Sequence, residues 1–344
     1  MRLKHLGRQT VRLQTPPTIA AEAAVVGRAE GEGPLSDYFD EISQDPYFGQ
    51  SSWEQAESTM LNRAFSLACG KAGLTPDQLQ YVLAGDLLNQ CVGSVFALKD
   101  TGVPYLGLYG ACSTIAEGLT LAAMLLDGGY ADAIAAATGS HFCSSERQFR
   151  FPLEYGGQRP PTAQWTVTGA GTVLLTAAGN GPFVTYLTTG RIVDLGITDM
   201  SNMGAAMAPA AYDTLKTHFA DTGRSPQEYD AIFTGDLGAL GHRIVSEQFL
   251  RDGIDLTGRY FDCGMLMFDR SRQDVHAGGS GCGCAASVLC GYILSMLRQG
   301  IWHRVLFSAT GALMSPTTAQ QRLSIPGICH AVAIEREVFI EKGG

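Results

Sequence analysis

Apolar residues along this chain fall into short strand-like runs that alternate with longer helical ones. Tyr81-Val-Leu-Ala-Gly-Asp-Leu reads as an apolar strand entering a turn. Leu108-Tyr-Gly-Ala-Cys-Ser-Thr leads into a small-residue helix that ends at Asp127-Gly-Gly, and Asp132-Ala-Ile-Ala-Ala-Ala-Thr-Gly-Ser is a second buried strand. The same three segments recur in the same order. They are Tyr229-Asp-Ala-Ile-Phe-Thr-Gly-Asp-Leu, then Ala277-Gly-Gly-Ser-Gly-Cys-Gly-Cys leading to a helix that ends at Arg298-Gln-Gly, then His303-Arg-Val-Leu-Phe-Ser-Ala-Thr-Gly-Ala. The repeat pairs Asp86 with Asp236, Cys112 with Cys282 or Cys284, and Thr138-Gly139 with Thr310-Gly311.

Strand, crossover helix and strand in succession predict an α/β protein with a mainly parallel sheet, and two such units predict pseudo-twofold halves over residues 1–185 and 186–344. The helices expected to begin at Ser113 and near Ala285 carry Ala, Leu, Met, Gly and Ser around most of their circumference, which suits burial between layers. A five-layered αβαβα arrangement follows. Tyr155-Gly-Gly-Gln-Arg-Pro-Pro and residues 220–229 read as loops, the former placed to act as a lid.

Composition narrows the class. With 344 residues, 45% hydrophobic and 17% charged, the chain is that of an ordered globular protein with material for two cores. A formal charge of -9 argues against general attraction to nucleic acid or anionic lipid. Nine cysteines at irregular spacing fit a reducing compartment better than a disulfide framework. Residues 1–26 are broken by Arg8, Arg12, Pro16, Pro17 and Glu22 and lack the apolar core of a signal peptide. The longest apolar stretch, residues 285–297, falls short of the roughly 20 residues a spanning helix needs. A soluble chain made without an export signal is expected.

The candidate chemistry centres on Gly110-Ala111-Cys112-Ser113-Thr114, where a strand turns into a helix. A helix N-terminus favours a thiolate and can hold an oxyanion or carboxylate, so Cys112 suits covalent chemistry, anion binding, or a buried inert thiol. Acyl transfer needs a base and an oxyanion partner, and the repeat-related positions supply no histidine. The nearest are His141, just past the Thr138-Gly139 strand end, His242 and His276. Cys282 and Cys284 lack the second ligand pair of a zinc site, and the glycines at 278–281 lack the spacing of a phosphate loop. Tight strand-to-helix packing accounts for those glycines. Arg147, Arg150 and Arg159, interleaved with Phe149 and Phe151, read either as a surface loop or as a set that pairs with a planar dicarboxylate.

Gly-Ala-Cys-Ser-Thr at the first helix start and Gly-Gly-Ser-Gly-Cys-Gly-Cys at the second resemble the thiolase and beta-ketoacyl synthase superfamily over nearly the whole chain. The strings beginning at Leu83, Glu146, Asp194 and Met207 resemble, more narrowly, a sporulation family within it. That resemblance implies a thiolase-like five-layered fold and a homodimer. It implies a peripheral receptor that binds dipicolinic acid or its calcium chelate and works with membrane proteins of the sporulation stage V A complex at the forespore or spore inner membrane. No cofactor or metal site is implied, and calcium enters only as part of the chelate.

In condensing enzymes of the superfamily the first-half cysteine acts with histidine or asparagine from the second half, whereas here Gly235 and Cys282 occupy those places. The resemblance therefore points to a binding protein that is not an enzyme, with an acyltransferase using Cys112 as nucleophile as the alternative. The ligand-binding set expected on this reading is Cys112, Ser140, His141, Arg147, Asp86, Asp236 and Cys282. The two aspartates act either through a bound calcium or by fixing their turns.

Overall fold

The two repeated units build two five-stranded sheets, seen in a computed structural model that describes residues 4–148, 153 and 156–338. The first contains β1 (Thr18–Val26), β2 (Tyr81–Gly85), β3 (Tyr105–Gly107), β4 (Ala133–Ser140) and β5 (Gly169–Thr176), in the order β3-β2-β4-β5-β1. The second contains β6 (Phe183–Thr188), β7 (Ala231–Thr234), β8 (Tyr260–Asp262), β9 (Arg304–Ala312) and β10 (Gly327–Glu335), in the matching order β8-β7-β9-β10-β6.

Three strands in each sheet are parallel, and the last two pairings in each are antiparallel. The expectation of a mainly parallel sheet is corrected to a mixed one. The physical reason is the connection: β9 returns to β10, and β4 to β5, without a helix crossing the sheet, and a strand that returns this way pairs antiparallel. The sheets meet where Thr18 of β1 pairs with Phe183 of β6, and a short strand, Thr10–Arg12, crosses from the first half to pair with β6. The division expected at residue 185 thus falls inside a strand of the second sheet.

The repeat extends beyond the segments read from the sequence. Helix α1 (Trp53–Ala72) covers the outer face of the first sheet, α2 (Thr114–Asp127) packs between the sheets, and α3 (Met203–Thr222) covers the outer face of the second beside α4 (Gly238–Arg251). Both outer helices begin on a capped donor: Ser52 Oγ accepts from the Gln55 N–H, and Asn202 Oδ1 accepts from the Ala205 N–H. Both end on a left-handed glycine, Gly73 or Gly223. Residue 53 answers residue 203, 72 answers 222 and 86 answers 236, a constant displacement of 150.

Between the sheets, α2 lies beside α5 (Cys282–Val288), which runs on through a π-type turn at Leu289–Ile293 into Leu294–Arg298. Residues from both sheets and both central helices share one core that includes Ile115, Leu119, Ala136, Val173, Ala286, Leu289, Phe233 and Val332. The five layers are therefore helix, sheet, helix, sheet, helix. The helices start at Thr114 and Cys282, one residue after and three before the expected positions. Among the described residues no helix is long and apolar enough to cross a membrane.

Candidate ligand-binding site

Strand β3 hands the chain to α2 through a single tight turn, Ala111–Ser113, in which Ala111 is held at φ +50°. That left-handed geometry is costly for alanine, and four hydrogen bonds hold it. Gly110 accepts at its carbonyl from the Ser113 N–H and hydroxyl, at 3.0 and 2.6 Å. Ala111 accepts at its carbonyl from Thr114 Oγ1 at 2.7 Å and from the Cys282 thiol at 2.9 Å. Gly311 of β9 lies so close that a Cβ there would sit 2.3 Å from the Gly110 carbonyl oxygen. The two halves are thus packed directly against the turn that carries Cys112.

Above the turn lies a cavity of about 190 Å³. Tyr109, Cys112, Ser145, Glu146, Gln164 and Thr166 wall it from the first half, and Met200, Met203, Ser280, Gly281 and Met314 from the second. Tyr109 is half exposed and donates its hydroxyl hydrogen to the Met314 carbonyl at 3.0 Å, bridging the halves at the rim. Gln164 donates both to the Asp236 carbonyl (2.7 Å) and to the Gly279 carbonyl (2.8 Å) through its amide nitrogen. Its Oε1 and the Ser145 hydroxyl are buried without a hydrogen-bond partner. Buried polar atoms in native proteins rarely stay unpaired, so two in one wall mark a place where water or a ligand completes the bonding.

Asp236 lies just behind this wall, fully buried. Its carboxylate accepts from Ser280 Oγ (2.7 Å), the Gly281 N–H (3.0 Å) and Thr310 Oγ1 (2.9 Å). Burial still outweighs these bonds and raises its pKa to about 6. Cys112 is 5% exposed. Burial, then the neighbouring Asp236 carboxylate, push its thiol well above the ordinary range. Loss of water and an adjacent negative charge thus outweigh the pull of the helix end toward a thiolate.

The other expected residues divide clearly. Cys112 is in the wall, with Asp236 and Cys282 behind it. Asp86 instead caps its own turn, accepting from the Leu88 N–H at 2.8 Å and from the Ser94 N–H and hydroxyl at 2.6 and 2.7 Å. Ser140 Oγ donates to the Val167 carbonyl (2.7 Å) and accepts from the Gly283 N–H (3.0 Å), stitching α5 to the first sheet. His141 faces away from the cavity wall: Nδ1 accepts from the Cys143 N–H, so Nε2 carries the proton and donates to the Pro46 carbonyl at 2.8 Å. Burial lowers its pKa and keeps the ring neutral.

Arg147 pairs with Glu54 and lies over Trp53, and Arg159 stacks on Trp165 and pairs with Asp274 at 3.0 Å. Arg150, Phe149, Phe151 and Tyr155 lie outside the described residues. His242 stacks on Tyr260, and His276 pairs with Asp274. Among the described residues no group of three or more His, Cys, Asp or Glu is placed to hold a metal ion. Tyr109, Ser145, Glu146, Gln164 and the methionines went unanticipated. One signal existed: Glu146 opens one of the strings singled out for their family resemblance, and Met200 closes another, Asp194-Leu-Gly-Ile-Thr-Asp-Met.

Comparison with known proteins agrees with this architecture. Residues 7–335 match the family model described as stage V sporulation protein AD. The chain is 44% identical over 334 residues to the stage V sporulation protein AD of Bacillus subtilis (strain 168), covering 97% of this chain and 98% of that one. Among solved structures it resembles 3-oxoacyl-acyl-carrier-protein synthase III of Aquifex aeolicus VF5, with TM-score 0.56 and 12% identity over 93% of this chain and 99% of that one. Human mitochondrial 3-ketoacyl-CoA thiolase is similar at TM-score 0.55 and 12% identity, over 95% and 99%. These structural likenesses establish a thiolase-like fold.

Proposed function

The chain belongs to the stage V sporulation protein AD family, and from that premise we propose that its cavity binds dipicolinic acid, or the calcium chelate of that acid, without transforming it. The observation that carries this reading is the cavity itself: about 190 Å³, walled by one aromatic ring and three methionines, with two unpartnered polar atoms. An apolar cavity of about 150 Å³ suffices for one six-membered ring. Polarisable methionines and Tyr109 suit the faces of a flat heteroaromatic, and the polar atoms suit its edge.

Three features speak against condensation. A Cβ at Gly235 would sit 2.9 Å from the Thr310 nitrogen, so the place of one partner has no room for a side chain. Cys282, at the other partner's place, has its thiol spent on the Ala111 carbonyl. Cys112 is held as a neutral thiol. In this reading the protein works in sporulation as a homodimeric, peripheral receptor beside membrane proteins of the stage V A complex. It supports dipicolinate uptake at the forespore or spore inner membrane.

Calorimetric or fluorescence titration with dipicolinate, with and without calcium, tests the proposal. Saturable binding weakened by Cys112→Ala is expected, and no saturable signal from either form sinks it. The acyltransferase alternative is kept because Cys112 stands in the cavity wall. Incubation with acyl-CoA donors would then add an acyl mass that Cys112→Ala abolishes.

A further inference from the structure

We infer that Gln164 and Ser145 read the edge of the ligand, Gln164 as a fixed acceptor and Ser145 as a donor, so that the cavity selects flat rings presenting one hydrogen-bond donor and one acceptor. This rests on the proposed function and names the chemistry by which that same site tells one ring from another.

Gln164 has only one part open to it. Both hydrogens of its Nε2 are used, on the Asp236 carbonyl at 2.7 Å and on the Gly279 carbonyl at 2.8 Å. Turning the amide over would set its oxygen against those two carbonyls, so the hydrogen-bond network fixes which end is nitrogen. Gly238, left-handed at φ +61°, lies close against the amide: a Cβ there would sit 3.0 Å from Nε2 and 3.1 Å from Cδ. The side chain is therefore held in place, and its Oε1 stays buried with nothing donating to it. A donor brought by the ligand recovers the cost of that orphaned acceptor, whereas an apolar or acceptor-only group recovers nothing.

Ser145 supplies the complement. It belongs to the short helix Phe142–Glu146, where its neighbour Ser144 spends its hydroxyl hydrogen on Glu57. Ser280, another hydroxyl of the wall, is likewise spent on Asp236. The Ser145 hydroxyl has no partner although the residue is only 2% exposed. Facing a carboxylate oxygen, a hydroxyl donates. The carboxylates of dipicolinate only accept, so they satisfy Ser145 and leave Gln164 wanting a donor. Calcium takes about six to eight oxygen ligands, more than one dipicolinate provides, and the waters that complete its shell bring the missing hydrogens. An amide in place of one carboxylate brings them directly.

Calorimetric titration of the full-length protein with two derivatives of dipicolinic acid tests this. The monoamide and the monomethyl ester carry the same single negative charge and similar bulk, and only the amide has a hydrogen to donate. The monoamide is expected to bind about tenfold tighter, the worth of one recovered buried hydrogen bond. Gln164→Met should erase that preference, whereas Ser145→Ala should weaken both derivatives alike and leave the preference intact. If Gln164→Met does not fold, for want of the two Nε2 bonds, the comparison on the parent protein still decides. Equal affinities of amide and ester, a preference that survives in Gln164→Met, or no binding of either derivative while dipicolinate binds overturns the inference and leaves the proposed function standing. Failure of both dipicolinate and its calcium chelate to bind overturns the proposed function, whatever the derivatives do.

Discussion

At the scale of single residues, the tightest constraint beside the site is the space at one glycine. Gly235 stands where a Cβ would meet the backbone nitrogen of Thr310 at 2.9 Å and the Ala309 Cα at 3.1 Å. Gly235→His should therefore cost about 1–3 kcal/mol of stability through overpacking, seen as a lowered denaturant midpoint, and should produce no condensing activity. A variant as stable as the parent would show that the turn yields. The thiols make a second prediction. Eight of the nine cysteines are buried and Cys143 is half-buried. Burial keeps Cys112, Cys282 and Cys284 protonated. Brief treatment of the native protein with iodoacetamide near neutral pH should label Cys143 at most, with all nine reacting after denaturation. Rapid labelling of Cys112 in the native state would restore the case for a nucleophile.

Elements translate these residues into geometry, and helix α5 shows how tightly. A Cβ at Gly283 would lie 2.1 Å from the Gly169 carbonyl oxygen, so the first turn of α5 rests directly on β5. Gly283→Ala should lower stability by about 1–3 kcal/mol in denaturant unfolding. It should also weaken ligand binding, because the Gly281 N–H and Ser280 hydroxyl that precede α5 are fixed to Asp236. How much was legible in the sequence follows from the same geometry. The repeat was readable because apolar runs and glycine turns recur in fixed order, and Cys112 because its turn is local. The antiparallel strands were not, since their direction depends on whether the preceding connection crosses the sheet. Nor were Ser145 and Gln164: residues 141–168 have no periodic pattern, and these two matter only once that segment packs against the second half. Asp86 and Asp236 look alike in sequence and differ in the fold because only Asp236 sits behind the cavity wall.

Across the whole molecule several carboxyls are buried, Glu30, Glu57, Asp86, Asp236 and Asp262 among them, and they bear on how its stability responds to pH. Glu30, fully buried, accepts from the Thr168 N–H at 2.9 Å, yet burial raises its pKa from the ordinary 4.5 to about 7. Burial and the neighbouring Asp86 raise Glu57 well above its ordinary value as well. A carboxyl whose folded pKa is raised binds its proton more tightly when folded, so its favourable contribution is complete below the unfolded value and is lost as pH rises through the folded one. Buried histidines act in the opposite sense. His218 is lowered to about 3 and His330 to about 4 by burial, and each costs stability as pH falls below 6.5. Well above 6.5 these histidines are neutral in both states, leaving the raised carboxyls, Glu30 and Glu57 with Asp236 and Asp262 among them, to set the slope, so melting temperature should fall between about pH 7 and about pH 8. Comparison with Glu30→Gln isolates one group, because glutamine imitates the protonated acid and keeps the oxygen that accepts from Thr168. Relative to the parent, the variant should gain on the order of 3 kcal/mol as pH rises from about 5 to about 7.5, at about 1.4 kcal/mol for each tenfold difference in proton affinity. A parent-to-variant difference that stays constant across that range would show that Glu30 does not titrate there. The slope would then have to come from the other raised carboxyls, such as Asp236, Asp262 and Glu57, the last of which Ser144 joins to the same short helix that carries Ser145 and Glu146 into the cavity wall.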